Sequence, residues 1–231
     1  AYRSALEVQK RLGLSVSEAR EPAHVTSLKN ITTPADFVQE ALPEILELKK
    51  RVLRELESIL PSDAVIASSS SGIPPSDLQA DMRYPERLII GHPCNPPYLM
   101  PVVEICGGAK TEENTLSVAK SLYEQLGKTV LRLDREAPGH LVNRLQAALW
   151  REAVHLVRDG YASMETVEKA VTDGLAPRWT LLGPSMIFHL AGGEAGLAKF
   201  LTDLGGEVEQ WWSSLGQPAL DPETCSLLEN A

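Results

Sequence analysis

A histidine and a glutamate twelve positions apart are the residues with the clearest capacity for chemistry. His92 stands in the proline-rich segment GHPCNPP (91–97), whose prolines restrict the backbone around it. Glu104 lies inside the apolar segment VVEICGG (102–108), where a carboxylate is costly unless a donor pairs with it. A carboxylate that accepts one imidazole N–H fixes the tautomer and raises the basicity of the ring. The two residues are therefore candidates for a general-base pair, with a water-facing Glu104 as the alternative.

Two further polar features stand beside predicted elements. Four serines, residues 68–71, follow the apolar segment AVIA (64–67), and loops after parallel strands are where α/β sheets bind ligands. A serine-rich turn is also common as a plain loop. Asn143 shares a helical stripe with apolar residues, so we expect it to face inward. A buried amide needs a hydrogen-bond partner, and a substrate oxygen is one candidate.

Five short apolar segments predict the strands that position these residues. They are DFVQEA (36–41), AVIAS (64–68), RLIIG (87–91), PVVEIC (101–106) and KTVLRL (128–133). Helical periodicity predicts two connecting helices, over 43–60 and 111–126. Their expected inward residues are Ile45, Leu48, Val52, Leu56 and Ile59 in the first and Val118, Leu122 and Leu126 in the second. Continuous apolar strands between helices predict an α/β sheet that is buried on both faces.

From Pro138 onward the pattern is helical only. Apolar residues nearly surround the stretch 140–159, and Ser163 is placed to cap a following helix that Gly174 would end. The last residues, 217–231, are expected to form a surface tail. The pattern predicts two domains, residues 1–135 with the sheet and residues 136–231 with helices only.

Composition excludes several classes of protein. The formal net charge of −9 argues against a nucleic-acid partner, because such binding needs clustered Lys and Arg. No apolar run approaches the roughly 20 residues that span a bilayer, so no membrane partner is expected. The first residues, 1–13, are typical of an amphipathic helix and not of a signal peptide. Three widely spaced cysteines argue against disulfides and a metal site and favour the cytoplasm.

Together these features resemble the 3-hydroxyacyl-CoA dehydrogenase family over about residues 35–195. The spacing from Ser71 to His92 and on to Glu104 has the family's values. The resemblance implies that His92 and Glu104 form the catalytic dyad and that Ser71 and Asn143 contact the substrate oxygen. It implies NAD as the cofactor, with contacts from Glu44, Lys49, Ser69 and Asn95. The implied fold is an incomplete, mostly parallel Rossmann-type sheet followed by an all-α domain for substrate binding and dimerisation.

Three longer segments are similar to the subgroup that contains L-gulonate 3-dehydrogenase and L-carnitine dehydrogenase. They are GHPCNPPYLMPVVE (91–104), VNRLQAALWREAVHLV (142–157) and GLAPRWTLLGP (174–184). The last segment supplies Arg178, which can bind a substrate carboxylate, and Trp179, which can cover a cation or an apolar face. An Arg–Trp stack at a domain surface is an equally good interpretation of these two residues.

The sequence also departs from the family pattern. Cys94 and His140 stand where the family commonly has Phe, and no G-x-G-x-x-G occurs in the 231 residues. The family's first strand, phosphate-binding turn and ribose-binding acid are therefore not among them, and family members would have several dozen residues ahead of Ala1. We expect either a fragment or a chain that has lost this part of the cofactor site. The 231 residues alone are then expected to bind NAD(H) weakly.

The resulting hypothesis is NAD-dependent oxidation of a 3-hydroxy group, in a small hydroxy acid or a 3-hydroxyacyl substrate, with His92 as the base. One alternative is a non-redox isomerase, lyase or cyclase that reuses His92 and Glu104 without a nucleotide. Another is a non-enzymatic dimeric scaffold. In each case we expect a homodimer formed through the helical region, because the 140–159 helix is apolar on too many sides for one neighbour and Trp211-Trp212 also needs cover.

Overall fold

The computed structural model describes residues 2–13, 22–31 and 33–230. All five predicted strands are present: β1 (Phe37–Glu40), β2 (Val65–Ser68), β3 (Leu88–Pro93), β4 (Val102–Gly107) and β5 (Thr129–Arg132). They form one sheet in the order β1-β2-β3-β4-β5. The pairs β1–β2, β2–β3 and β4–β5 are parallel, and β3–β4 is antiparallel. The first three strands therefore end at the same edge of the sheet, where loops can converge on a ligand.

The antiparallel pair brings the two candidate catalytic residues together. In the register between β3 and β4, His92 lies directly opposite Glu104. Residues opposite each other in a ladder point to the same face, with Cβ atoms close enough for side-chain contact. The chain reverses direction between β3 and β4, and this reversal brings together two residues that are twelve positions apart.

Two apolar cores flank the sheet, one for each set of alternating residues. One core contains Ile66, Leu88 and Ile90 with Leu53 of helix α2 (Leu46–Ile59). The other contains Ala67 and Ile89 with Leu116, Ala119 and Tyr123 of helix α4 (Glu113–Gln125). The sheet is therefore buried on both faces, as the continuous apolar strands predicted.

The predicted inward stripes of the two helices were partly wrong. In α2 the buried side chains are Lys49, Leu53 and Leu56, whereas Ile45 and Ile59 are exposed. In α4, Val118 and Leu126 are 45% and 65% exposed. Hydrophobicity alone marked those residues, but the face that packs is the one where small Ala119 and long Tyr123 fit the sheet. The buried Lys49 is paired with carboxylates, so its polarity does not prevent burial.

The chain divides into two compact units, residues 1–144 and 145–231. Helix α5 (Val142–Arg158) crosses this division, and the predicted boundary between residues 135 and 136 stays a prediction. The first unit also contains α1 (Tyr2–Arg11), as predicted for the N-terminal segment, and α3 (Pro75–Gln79). The second contains α6 (Met164–Lys169), α7 (Ala176–Trp179), α8 (Pro184–Ala191), α9 (Gly196–Ser214) and α10 (Pro222–Asn230).

The predicted end of the helix that follows Ser163 was wrong. Ser163 caps α6 as expected, but the chain continues through the wide helical turn Ala170–Leu175 into α7, so Gly174 ends nothing. Gly174 lacks the positive φ that makes glycine a helix terminator. The expected surface tail contains α10, whose start has the Asp221 side chain accepting the Thr224 N–H at 2.8 Å. Asp221 as a helix cap, followed by Pro222 at the first helical position, is the sequence signal for this helix within the tail.

Within the described ranges, no helix combines the length and apolar character needed to cross a lipid bilayer.

Candidate active site

His92 and Glu104 form a hydrogen-bonded pair. The distance from His92 Nδ1 to Glu104 Oε2 is 2.9 Å, and Glu104 is completely buried. The other oxygen, Oε1, accepts the N–H groups of Leu141 at 2.7 Å and Val142 at 2.9 Å. These two amides stand at the N-terminus of α5, where the helix dipole favours a negative charge. The contact predicted from the sequence is present, and the buried carboxylate has donors on both oxygens.

The pairing determines the hydrogen-bonding state of the neutral His92 ring. Because a carboxylate only accepts, Nδ1 carries the hydrogen and Nε2 presents a lone pair. Nε2 lies 3.0 Å from the Ser71 hydroxyl, which donates to it. An acceptor nitrogen that is accessible beside a hydroxyl donor is the arrangement that a general base for an alcohol requires.

Glu44 holds the serine loop in shape. Its Oε1 accepts the N–H groups of Ser71, Gly72 and Ile73 at 3.1, 2.8 and 3.1 Å and the Ser70 hydroxyl at 2.5 Å. Partial burial raises the pKa of the Glu44 carboxyl, but the hydrogen bonds from Ser70, Gly72 and Ile73 and the Lys49 charge outweigh it and lower the pKa. Glu44 is therefore an ionised anchor at the edge of the cleft.

Lys49 lies beneath this anchor and not in the cleft lining. Its ammonium group is 2.9 and 3.1 Å from the two Glu40 oxygens, 3.0 Å from the Leu42 carbonyl and 3.6 Å from Glu44 Oε2. Only 1% of Lys49 is exposed. The donors of the Lys49 ammonium group are engaged by these protein groups, and its expected contact with the cofactor stays a prediction. Glu40 was missed from the sequence, although it is a carboxylate in a predicted strand, as Glu104 is.

A cleft of about 700 Å³ opens above these groups at the carboxyl edge of β1, β2 and β3. Its lining includes the predicted residues Glu44, Ser69, Ser71, His92 and Asn95. Asn143 is half-buried in the first turn of α5, and its side chain makes no hydrogen bond to another residue in the described part of the chain. The predicted inward position of Asn143 is therefore only partly reached, and its contact with a substrate oxygen stays a prediction.

His140 contributes a contact that the sequence did not reveal. Its buried ring lies 4.9 Å from the His92 ring, centroid to centroid, and its Nε2 is 2.9 Å from the Ser70 carbonyl. The neighbouring Gly139 N–H donates to the Ser71 carbonyl at 3.0 Å. The backbone at His140 has a positive φ of 51°. The chain just before α5 thus fastens the serine loop as well as Glu104. The turn signal in the sequence was the dipeptide Pro138-Gly139, whose glycine adopts a positive φ.

Arg178 and Trp179 lie in α7 of the second unit, and both side chains are exposed. Their expected roles in substrate binding stay predictions.

The donors in the cleft fit the nicotinamide half of NAD. The Ser69 hydroxyl and the Asn95 amide both line the cleft where the three strands end, whereas the Ser71 hydroxyl donates to His92. A nicotinamide carboxamide offers both an acceptor and donors to such groups. In the described ranges, no group of three His, Cys, Asp or Glu side chains is arranged to hold a metal ion.

Two family profiles match the chain in succession. The profile described as "3-hydroxyacyl-CoA dehydrogenase, NAD binding domain" matches residues 11–137, and "3-hydroxyacyl-CoA dehydrogenase, C-terminal domain" matches residues 139–218.

Curated relatives include two bacterial L-carnitine dehydrogenases. The protein of Streptomyces coelicolor is 44% identical over 214 residues, which cover 92% of this chain and 67% of that protein. The protein of Oceanobacillus iheyensis is 42% identical over 224 residues, covering 96% of this chain and 73% of that one. The chain thus spans about two thirds of the length of these relatives.

Solved structures give the same result. One is an NAD⁺-dependent dismutase, the 5-dehydrogenase of 5-formyl-3-hydroxy-2-methylpyridine 4-carboxylic acid. It matches with a TM-score of 0.82 and 29% identity, over 95% of this chain and 71% of that one. FadB2 of M. tuberculosis matches with a TM-score of 0.72 and 26% identity, over 99% and 79% of the two chains.

These matches confirm the fold class, NAD as the cofactor and the expected oxidation of a 3-hydroxy group at the level of the family. The chain belongs to the 3-hydroxyacyl-CoA dehydrogenase family of NAD-dependent oxidoreductases.

Proposed function

We propose that the protein oxidises the 3-hydroxyl of a small hydroxy acid to a ketone and that His92 is the base. The observation that carries this proposal is the pair His92–Glu104, which leaves Nε2 as an acceptor beside the cleft. NAD, when bound, supplies the acceptor for the hydride that leaves carbon 3.

The proton of the substrate hydroxyl passes to His92 Nε2. Ser71 already lies 3.0 Å from that nitrogen, so a substrate oxygen near both groups can accept a hydrogen bond from Ser71 while donating to His92. As the ring becomes an imidazolium, Glu104 stabilises its charge at a distance of 2.9 Å and keeps its orientation. The two α5 amides keep Glu104 in place without neutralising it.

The substrate class is proposed from the relatives and from two residues of α7. Relatives more than 40% identical are named L-carnitine dehydrogenase. Carnitine has a carboxylate, a 3-hydroxyl and a quaternary ammonium group. Arg178 suits the carboxylate through a bidentate pair, and Trp179 suits the cation through its ring face. Asn143 is proposed as a further contact to the 3-oxygen.

The test is turnover by wild type and His92→Gln, followed by NADH absorbance with L-carnitine, L-gulonate and a 3-hydroxyacyl-CoA. Loss of general-base assistance predicts a fall in kcat of about 10²–10⁴-fold. The matched control is His24→Gln at an exposed histidine, which should keep wild-type turnover. A His92→Gln protein within tenfold of wild type would remove His92 from the mechanism. Turnover without NAD would instead favour the non-redox alternative.

We also propose a cytoplasmic homodimer. In the second unit, Trp150, Trp211 and Trp212 are 50%, 58% and 67% exposed, and large exposed aromatic side chains are typical of association surfaces. Helices α8 and α9 enclose an apolar groove of about 300 Å³ that includes Trp212. The three cysteines are free, which suits a reducing compartment.

A further inference from the structure

A chain of three side chains crosses from helix α4 to the cleft. The buried Tyr123 hydroxyl donates to Gln39 Oε1 at 2.5 Å. Gln39 Nε2 donates to the Ser69 hydroxyl at 2.7 Å and to the Gly91 carbonyl at 2.8 Å. Ser69 lines the cleft, whereas Gln39, an exposed residue of β1, and the buried Tyr123 are not among its lining residues. Gln39 and Tyr123 were not identified as functional residues from the sequence.

The direction of every bond in this chain is determined. The Gly91 carbonyl can only accept, so the Gln39 atom facing it must be the amide nitrogen. Oε1 therefore faces Tyr123, whose phenol must donate. Burial raises the pKa of Tyr123, so the phenol keeps its proton at physiological pH. The amide nitrogen has two hydrogens, and the second goes to Ser69.

The Ser69 oxygen is thus an acceptor on its inner side. Its own hydrogen is not used in that bond, and no described residue accepts it. A hydroxyl whose oxygen already accepts from a fixed amide gains most by donating to a new partner. The partner must offer an oxygen acceptor from within the cleft.

We propose that Gln39 and Tyr123 are positioning residues that make Ser69 an obligate hydrogen-bond donor, and that Ser69 donates to the carboxamide oxygen of bound nicotinamide. This inference rests on the proposed function for the identity of the ligand. Gln39 and Tyr123, which do not line the cleft, thereby determine that Ser69 faces the ligand as a hydrogen-bond donor.

The primary measurement is the NADH dissociation constant, obtained by fluorescence titration of the whole protein without substrate. Removing one such hydrogen bond in Ser69→Ala should weaken NADH binding about three- to tenfold. His24→Gln, at an exposed histidine outside the cleft, should bind NADH as wild type does. A failure of the proposed base would appear as an unchanged kcat in His92→Gln, whereas a failure of this inference would appear as an unchanged NADH dissociation constant in Ser69→Ala, so the two are distinguishable. The thionicotinamide analogue of NADH tests whether the carboxamide oxygen is the acceptor, because its sulfur accepts hydrogen bonds more weakly than oxygen. Ser69→Ala should therefore weaken binding of this analogue less than it weakens binding of NADH.

The positioning role is tested by reversing the polarity of residue 39. Gln39→Glu has nearly the same shape but offers only acceptors when ionised, so it can donate neither to the Gly91 carbonyl nor to Ser69. The Ser69 hydrogen then turns inward to the carboxylate, and NADH binding should weaken at least as much as in Ser69→Ala. Tyr123→Phe leaves Gln39 Nε2 oriented by the Gly91 carbonyl, so its affinity for NADH should stay within about twofold of wild type. That difference separates polarity from general loosening.

The double variant Ser69→Ala/Gln39→Glu provides the decisive comparison. Without the Ser69 hydroxyl there is no hydrogen to redirect, so Gln39→Glu should add less than about twofold to the NADH dissociation constant. If Gln39 were only structural, the fold-change in the NADH dissociation constant of the double variant would be the product of the two single-variant fold-changes. Multiplied effects, or an unchanged dissociation constant in Ser69→Ala, would overturn the inference.

Discussion

Single carboxylates at this site are held by converging donors. Glu104 accepts from His92 and two amides of α5, and Glu44 accepts from three amides and a hydroxyl of the serine loop. The hydrogen bonds to Glu44 favour its charged form and lower its pKa. Both carboxylates give the site its geometry, and the anchoring by Glu44 should be sensitive to acid.

The lowered pKa of Glu44 predicts how stability changes in acid. A carboxyl whose pKa is lower folded than unfolded contributes stability that is fully present above its unfolded value of about 4.5, and this contribution is lost as pH falls through the folded value. We expect Glu44→Gln to lower the free energy of unfolding at pH 7 by about 1 kcal/mol, a small value because Glu44 is partly exposed.

Urea unfolding of wild type and Glu44→Gln from pH 7 to pH 3 tests this. The gap between the two proteins should narrow below about pH 4.5. Glu47→Gln, at an exposed carboxylate in the first turn of α2, is the matched control and should give no such narrowing. A constant gap across the range would contradict the anchoring role of Glu44.

The three cysteines should differ in reactivity. Burial, with the Glu136 charge, raises the pKa of Cys106 to about 11, and burial, with the Glu104 charge, raises the pKa of Cys94. Only thiolates react readily, so Cys225, which is partly exposed, should be the fast thiol. Titration with a disulfide reagent at pH 8 should show one fast thiol in the native protein and three after unfolding. Cys225→Ser should remove the fast phase, and a second fast thiol in the native protein would contradict the burial argument.

At the scale of elements, a close approach between α4 and β3 makes one glycine necessary. A Cβ on Gly91 would lie 2.2 Å from the Tyr123 hydroxyl and 3.0 Å from the Ala67 Cβ. We expect Gly91→Ala to lower the free energy of unfolding by about 1–3 kcal/mol, because both neighbours are buried and packed. Thermal unfolding measures this.

The matched comparison for Gly91→Ala is the double variant with Tyr123→Phe. Removing the hydroxyl removes the shortest of the clashing distances, so the alanine should cost less in the Tyr123→Phe background than in wild type. An equal cost in both backgrounds would place the strain elsewhere in the packing.

The start of α5 joins two parts of the site. The segment that precedes the helix donates from Gly139 to the serine loop, while the first helical amides donate to Glu104. Residues from β2, β3 and β4 are thereby connected through one helix N-terminus. A single change in this segment should therefore affect the serine loop and Glu104 together.

At the scale of the whole molecule, the proposed homodimer is testable. Light scattering at micromolar concentration should give twice the chain mass, which for these 231 residues is 25.2 kDa. Trp212→Glu places a charge in the exposed apolar surface and should shift the mass toward the monomer. Lys120→Glu, an exposed charge change on α4, is the control and should remain dimeric. A monomeric wild-type protein would exclude the dimer. The expected weak binding of NAD(H) by the 231 residues alone also stays a prediction.

The sequence by itself determined the strands and the contact between His92 and Glu104. Strands could be identified because they are continuous apolar runs, and all five lie within about two residues of their predicted ends. The contact between His92 and Glu104 was foreseeable because a carboxylate in a buried strand requires a donor, and the spacing supplied a histidine. Local pattern and local energetic cost are both properties of neighbouring residues.

The tertiary structure alone decided which polar groups meet. The burial of Lys49 with Glu40, the Tyr123–Gln39–Ser69 chain and the contact of His140 with Ser70 each join residues far apart in sequence. Tertiary packing also decided which face of each helix is buried, since Val118 is exposed and Lys49 is buried. Hydrophobicity ranks residues one at a time, whereas burial of a polar group depends on the partner that the fold brings within hydrogen-bonding distance.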